Sequence, residues 1–556
     1  MKQMTDRQES LFVAMMGGIF GLWFIGFANV LPWNLDWLVG KTDGSAQQLV
    51  FEFYRQTPIF QWPPLAVPNY IRGAGAVSPI GSGFIEFPLK IVGKLIPGNF
   101  QYLGLWVVAC FSLQAYFGAR LLSRFITERH IRLIGSVFFV TAPILVYRIG
   151  AGHHFQLGAH WLILAAFSLY FENKLRTRRW SLLLFASIVI NIYISAMVTV
   201  IFVSAIARWL LERDYRKNRQ LLMKSLCCPL AALASGFLLM GYLSYGSNSA
   251  GTGNFRLNLV SFLNPDFKPG GIFSLFASTF LKNFDRAFIG FEGEGFEYVG
   301  LGVILGLVVA ITVFAKHLRI QLIKIAAPLV LVCFLMFLFA VSNRPAFARH
   351  EYSYWWPDFL DSIKEIFRAT TRFGWPLYYL IMLAGLVAIA KVVPKRLVVV
   401  VFTVLLLIQL VDIGPSIQRL QQEVSSTSTY VSMQTDARWK TLAKLHSNID
   451  LYPNFDLQLD ESPTNIMKWD KSWFSFCQFA VDNHLSINAG LSARPLGDFP
   501  HRDNQRILSE LTTGNLNPDT IYVIASEDDW NGFKQKIGPK VFAEEVDGFF
   551  VIASQE

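Results

Sequence analysis

Residues 178–212 read RRWSLLLFASIVINIYISAMVTVIFVSAIARWLLE. Between Arg179 and Arg208 the run carries no charge. It exceeds the ~20 apolar residues that one spanning helix needs, yet is short for two. Its polar interruption lies at Asn191–Ser195. Whether it holds one helix or two sets the parity of every later crossing, so this stretch decides the topology.

Working outward, comparable apolar runs predict helices near 11–31, 101–120, 132–148, 157–172, 225–245, 298–315, 325–343, 374–391 and 397–413. Basic residues gather between them, at Lys2/Arg7, Arg120–Arg132, Lys174–Arg179, Arg213–Lys224, Lys316–Lys324 and Lys391–Arg396. Cytoplasmic loops are enriched in Lys and Arg. Placing all six clusters on one side requires an even number of crossings between successive clusters. That holds only if 178–212 contains two short helices, 178–193 and 195–212, turning near Asn191–Ser195. The expectation is then eleven transmembrane helices with a cytoplasmic N-terminus. Residues 414–556 and the long loops 32–100, 246–297 and 344–373 fall outside.

Composition agrees with this division. The chain has 556 residues, 53% hydrophobic and 16% charged, against about 25% charged in soluble domains. The deficit lies in residues 11–413. Residues 414–556 have the composition of a soluble domain. Ile521–Ala525 and Gly548–Ala553 read as strands, and 416–424 and 435–447 as helices. The expected fold class is mainly α: a polytopic membrane helical bundle with a C-terminal α/β or α+β domain. The net charge of +10 sits in the short segments between apolar runs. It therefore reads as a topology signal, and no nucleic-acid partner is expected. Cys110, Cys227, Cys228, Cys333 and Cys477 show neither metal-ligand spacing nor a disulfide framework. The N-terminus has no cleavable signal pattern, and the run after Ser10 reads as a first spanning helix.

Four segments carry candidate chemistry. The first is DGSAQQLVFEFYRQTP, residues 43–58. Ser45 followed by Gln48 is a capping-box pattern. Ala46, Leu49, Val50 and Phe53 share one helical face, which predicts a short amphipathic helix in the membrane interface. Asp43 sits just before it, either as a general base for a hydroxyl or as a residue complementing the helix dipole. Asp36 and Glu52 are weaker candidates of the same kind, and Gln47 is a substrate-binding candidate. The second segment, RIGAGHHFQLGAHW from Arg148, carries His153, His154 and His160. Substrate contact, structural hydrogen bonding and metal ligation are all open readings, the last disfavoured by the absence of nearby Cys or acidic partners. The third, IFRATTRFGWP from Ile366, sets Arg368 and Arg372 four apart, on one face if that turn is helical. An arginine pair suits a phosphate or diphosphate, or anchors to lipid head groups. The fourth, FEGEGFEY from Phe291, holds Glu292, Glu294 and Glu297, which could orient a sugar, hold a cation or be solvated. The aromatic stretch HEYSYWWP from His350 suits sugar stacking or an interfacial aromatic belt.

Together, DGSAQQ from Asp43 with FYRQTP from Phe53, HFQLGAHWLIL from His154, EGFEYVGLG from Glu294 and IFRATTRFGWPLYY from Ile366 resemble a family of bacterial polytopic proteins of unknown function. That family is placed among the GT-C glycosyltransferases. The resemblance spans most of the chain. It implies a bundle in the bacterial inner membrane with an extracytoplasmic C-terminal domain. It implies a sugar donor carried on polyprenyl phosphate and a glycan or lipid-linked acceptor, with membrane lipids as the surrounding partner. It also implies Asp43 as the base, and Arg368 and Arg372 as donor-phosphate ligands. His153, His154, His160, Gln47, Glu294 and Glu297 follow as further substrate-binding positions. No metal and no cofactor enter that scheme. The double-acid pattern of protein mannosyltransferases is absent, since Leu35 precedes Asp36 and Thr42 precedes Asp43, so protein acceptors are not expected.

Two other classes compete. A transporter or flippase of a lipid-linked glycan would show inverted repeats and helices broken at mid-membrane. No repeat is visible, and the polar residues concentrate in outer loops. A scaffolding protein whose tail binds a partner would leave the cell-surface glycans intact when deleted.

Overall fold

The structure, a computed structural model, describes residues 6–41, 43–74, 83–93, 95, 98–211, 218–244, 255–265, 276–282, 292–314, 320–454, 469, 472–492, 496–538 and 540–555. It divides into two compact units. The first comprises Met1–Trp37, Phe100–Gly236 and Gly251–Thr427; the second comprises Leu38–Asn99, Phe237–Ala250 and Ser428–Glu556.

The first unit is helical. Each of the eleven apolar runs holds a helix: Asp6–Ile25, Leu103–Leu122, Arg129–Val140, Trp161–Tyr170, Thr177–Ile190, Ile192–Leu211, Arg219–Leu239, Leu301–Phe314, Ile320–Val341, Trp375–Val392 and Lys395–Ser425. Among the described residues, seven segments are long and apolar enough to cross a membrane, consistent with a multi-pass membrane protein. Thr177–Ile190 and Leu301–Phe314 have 14 residues each. That is about 21 Å of helix against a hydrocarbon core of about 30 Å. Length and composition alone therefore single out seven of these helices as spans among the described residues.

The turn required near Asn191 is present. Asn191 leaves the helix with extended backbone, ψ 130°. Its Oδ1 accepts from the amides of Tyr193 and Ile194 at 2.9 and 3.3 Å, capping the next helix. The two helices run antiparallel. Trp180 and Phe202, equidistant from Asn191 in sequence, pack in a tilted pair with ring centroids 5.2 Å apart, and Ser187 bonds Ser195 at 3.1 Å. The predicted 132–148 helix instead breaks at Thr141–Ala142. It restarts at Pro143, which suits a first helical position because it lacks an amide hydrogen.

Several basic clusters meet at one end of this unit. Glu172 accepts from Arg124, Arg176 and Arg179 at 2.7, 3.0 and 2.8 Å. Glu9 pairs with Arg129 and Arg132, and Glu128 with Lys395 at 3.4 Å. The N-terminal, 120–132, 174–179 and 391–396 clusters thus share an end, as the parity argument requires. Residues 212–217 and 315–319 of the other two clusters lie outside the described residues. Between helices in lipid, packing rather than water exclusion drives association. Accordingly a Cβ on Gly17 would stand 2.5 Å from the Phe111 carbonyl, and Phe20 meets Phe111 edge-on at 5.1 Å. Residues 416–424 continue the Lys395–Ser425 helix rather than opening the tail. A two-residue hairpin, β1 (Ala346–Phe347) with β2 (His350–Glu351), lies in the loop after Val341.

The second unit is built on a sheet of β3 (Asn448–Tyr452), β4 (Ser486–Ile487), β5 (Thr520–Ile524), β6 (Val541–Val546) and β7 (Phe549–Ser554), in the order β4-β3-β5-β7-β6. β3 runs parallel to β4 and β5; β7 is antiparallel to β5 and β6. Asp547 and Gly548 both have positive φ, 50° and 79°, the two-residue turn that matches strand twist. Ile507, Leu511, Tyr522, Ile524 and Ile552 form the core on one face. The readings of 521–525 and 548–553 as strands and of 435–447 as helix correspond to β5, β7 and Ala437–Leu445.

The first outer loop belongs to this unit. Its helix, Asp43–Gln56, is buried from Gly44 to Tyr54, so it is not an amphipathic helix lying on a membrane surface. Ser45 is not its cap either. It lies inside the helix, accepting from the Lys41 amide at 3.0 Å and donating to the Leu38 carbonyl.

Candidate functional site

The polar group with the strongest electrostatics lies in the first unit, where three of the quoted segments converge. Arg148 ends the short helix Pro143–Gly150 and is 1% exposed. A buried arginine in an apolar run must be paired or functional, and this one is paired. Its Nη1 donates to Glu294 Oε2 at 2.6 Å, and its Nη2 donates to the Glu294 carbonyl. Arg372 completes the clamp. Nε and Nη2 donate to the two Glu294 oxygens at 3.0 and 3.2 Å, and its guanidinium lies 4.6 Å from the Tyr193 ring. His154 Nε2 stands 3.9 Å from Glu294 Oε1. The chain reaches that position through His153, whose φ of 49° is rare outside glycine. Burial raises the Glu294 pKa, but Arg148, Arg372 and His154 outweigh it and hold the carboxylate well below its usual range.

Glu297 behaves oppositely. It is fully buried, and neither carboxyl oxygen has a hydrogen-bond partner among the described residues. Burial pushes its pKa well above the usual carboxylate range, and Arg148 offsets this only in part. Burial thus favours the neutral form of Glu297, while the arginines favour the ionised form of Glu294. Two carboxyls driven apart by their surroundings are a common acid/base arrangement. The guanidiniums of Arg148 and Arg372 both face the single carboxylate of Glu294.

The segment is fixed from below by the Lys395–Ser425 helix. Asp412 Oδ2 accepts from Tyr298 Oη at 2.7 Å and from the Leu301 amide at 3.0 Å. Gln409 Oε1 accepts from the Gly302 amide at 2.9 Å, and its Nε2 donates to the Val299 carbonyl at 3.2 Å. These side chains satisfy the open N-terminus of Leu301–Phe314. Gly300, φ 91°, is obligatory, because a Cβ there would overlap Gln409. Around the cluster, His160 Nδ1 bonds Tyr379 Oη at 2.7 Å and its ring lies 4.2 Å from Trp375. Buried Thr371 Oγ1, Trp375 Nε1 and Gln156 Nε2 have no partner among the described residues. The cluster sits where Trp375–Val392 begins. The shared basic end lies at the other end of that 18-residue helix, about 27 Å away.

The remaining sequence candidates are placed as follows. Arg368 and Arg372 do not share a helical face. Phe367 and Ala369 take non-helical backbone, ψ 67° and 71°, and the 3-10 turn Thr370–Gly374 begins after them. Arg368 instead lies 5.0 Å from the Phe255 ring. Glu292 has only its backbone described. In the second unit, Asp43 is the first residue of its helix and half-buried. Gln47 is buried, with no partner for its Oε1 among the described residues. Glu52 is buried, and burial raises its pKa to about 7 despite hydrogen bonds from Gln48 and Gln478. Asp36 is exposed. Among the described residues no three His, Cys, Asp or Glu side chains converge as metal ligands. Arg148, Tyr193 and Thr371 were missed by the sequence reading. An arginine in an otherwise apolar run was the available signal for the first.

A family model described as "Domain of unknown function (DUF6311)" matches residues 14–414, and one described as "DUF6311 C-terminal domain" matches residues 438–554. No curated protein matches the chain.

Proposed function

We propose that this chain, which belongs to the DUF6311 family of unknown function, is a membrane glycosyltransferase of the GT-C type. It moves a sugar from a polyprenyl-phosphate donor to a glycan or lipid-linked acceptor on the outer face of a bacterial inner membrane. The observation that carries this reading is the Arg148–Glu294–Arg372 clamp. Two guanidiniums held by one carboxylate are buried and prepositioned, and such a group suits the phosphate of a lipid donor. The clamp lies at the end of its helices opposite the basic clusters, the end that faces outward if those clusters are cytoplasmic. The proposed topology has eleven crossings and an extracytoplasmic C-terminal domain.

The reaction is a single inverting displacement. The acceptor hydroxyl oxygen bonds to the sugar's anomeric carbon as the bond from that carbon to the phosphate oxygen breaks. The resemblance gives the role of accepting the hydroxyl proton to Asp43. Polyprenyl phosphate leaves carrying the bonding pair, and Arg372, Arg148 and Arg368 steady its charge. Glu294 holds the first two arginines in register, and His153, His154, His160, Gln47 and Glu297 contact the substrates. The test is transfer of labelled sugar from a polyprenyl-phosphate donor by the purified protein in lipid nanodiscs. Polyprenyl phosphate should bind at least about tenfold more tightly than the uncharged polyprenol, the equivalent of 1.4 kcal/mol. Equal binding of the two would remove the phosphate role.

A further inference from the structure

The soluble domain has no role in the scheme above, yet it holds the loop that carries Asp43. All of the contacts lie within the second unit. The loop segment Asn69–Arg72 makes an isolated parallel bridge at the β4 edge, Tyr70 to Ile487: the Ile487 amide donates to the Asn69 carbonyl at 3.0 Å, and the Arg72 amide donates to the Ile487 carbonyl at 2.7 Å. Arg72 then reaches across to buried Asp450 on β3 at 2.5 Å. Asp450 is shared with Arg506 at 2.7 Å, and Arg506 also binds Asp503 at 2.7 Å. Tyr70 Oη donates to the Leu491 carbonyl at 3.0 Å.

The helix that follows Asp43 is tied to the same domain. Asn69 Nδ2 donates to the Phe53 carbonyl at 3.1 Å, linking that loop segment to the helix. From the domain helix Trp473–Asp482, Gln478 Nε2 donates to Glu52 Oε2 at 3.1 Å, and the Val481 carbonyl accepts from Gln56 Nε2 at 2.6 Å. At its start, Ser45 locks the turn from Leu38 through Lys41. Asp43 therefore sits on an element whose sides and C-terminal end are held by residues from 450 to 491.

We infer that residues 428–556 are the mount that sets the position of Asp43, with Arg72, Asp450 and Gln478 as positioning residues. The claim about catalysis rests on Asp43 as the proposed base; the claim about mounting does not. A catalytic group displaced by about 1 Å loses on the order of a hundredfold in rate, so loosening the mount should act on turnover rather than on donor binding.

The experiment uses the full chain in nanodiscs, as wild type and as Arg72→Met, Arg72→Lys and Gln478→Leu variants. Hydrogen–deuterium exchange is read over residues 43–56 and over Trp375–Val392, alongside sugar transfer and polyprenyl-phosphate binding. Arg72→Met and Gln478→Leu should raise exchange in 43–56 by several-fold, as expected for a lost hydrogen bond of about 1 kcal/mol. They should leave 375–392 unchanged. Turnover should fall about tenfold or more with donor Kd unchanged, and Arg72→Lys should recover part of it. If Arg72→Met does not fold, Gln478→Leu carries the test, since it removes only the amide's bonds to Glu52 and Asp482. Unchanged exchange in 43–56 would overturn the mount. Raised exchange with unchanged turnover would overturn its positioning role. A wild type that transfers no sugar would reject the transferase reading, and the exchange result would still decide the mount.

Discussion

A Cβ on residue 374 would stand 2.3 Å from Oε2 of Glu297, so the carboxyl of Glu297 fills the space that Gly374 leaves open. Residue 374 immediately precedes the helix Trp375–Val392, and Tyr298 beside Glu297 is anchored to Asp412. Neither partner has room to retreat. Gly374→Ala should lower thermal stability by about 1–3 kcal/mol, the usual cost of overpacking. Glu297→Ala should relieve that cost in the double variant. Additive losses in the double-mutant cycle, measured by thermal unfolding in detergent, would show that the two positions do not press on each other.

Glu297 is predicted to be protonated at neutral pH. The sign follows from its raised pKa: the fold favours the neutral acid, so its contribution is complete below the ordinary carboxylate value. It is lost as pH rises through the raised value. Glu297→Gln, a neutral isostere, should fold with near wild-type stability, while its carboxylic-acid infrared band should be missing at pH 7. A wild-type spectrum without that band would mean that Glu297 is ionised.

Glu294 is predicted to be the residue whose loss most disturbs the clamp. Glu294→Ala leaves the buried Arg148 charge without its carboxylate partner, typically about 3–5 kcal/mol, and should lower folded yield sharply. Arg372→Ala acts where the side chain is 15% exposed and should be milder in stability. It should still weaken polyprenyl-phosphate affinity about tenfold or more. Unchanged affinity in both Arg372→Ala and Arg368→Ala would return these arginines to an anchoring role.

Glu52 gives the second unit a pH dependence of its own. Burial first, with Asp482 adding, lifts its pKa to about 7 from 4.5. Protonation therefore stabilises the fold. The contribution is full below pH 4.5, falls as pH rises, and is gone above about 7. It is on the order of 3 kcal/mol, since each tenfold change in proton affinity is worth about 1.4 kcal/mol. Protection in 43–56, after correction for the intrinsic pH dependence of amide exchange, should be greater at pH 5 than at pH 8, and Glu52→Gln should remove most of that difference. An unaltered pH response in Glu52→Gln would assign it elsewhere.

Much of the bundle was legible because apolar length and basic spacing are local signals. The turn at Asn191 followed from charge parity alone, and its antiparallel geometry is confirmed by Trp180 against Phe202. Strands β5 and β7 were readable from their Ile, Val and aromatic runs, whereas two-residue β4 left no periodicity to read. The Asp43–Gln56 helix was legible as a helix, but its burial was not: its polar side is covered from far along the chain, as by Gln478, 426 positions from Glu52. The clamp was half legible. Glu294 and Arg372 stood out by type, while the pairing of Glu294 with Arg148 spans 146 residues and leaves no trace in spacing. Arg368 and Arg372 were separated by the non-helical backbone of Phe367 and Ala369, which four-residue spacing could not anticipate.

The most direct test of the central claim is sugar transfer by the purified full chain in nanodiscs, supplied with a labelled polyprenyl-phosphate sugar and a glycolipid extract as acceptor. The account predicts label in the acceptor and free polyprenyl phosphate with wild type, and a loss of at least about a hundredfold for folded Asp43→Asn. Donor that crosses the bilayer with its sugar still attached, or near-normal transfer by Asp43→Asn, would contradict it.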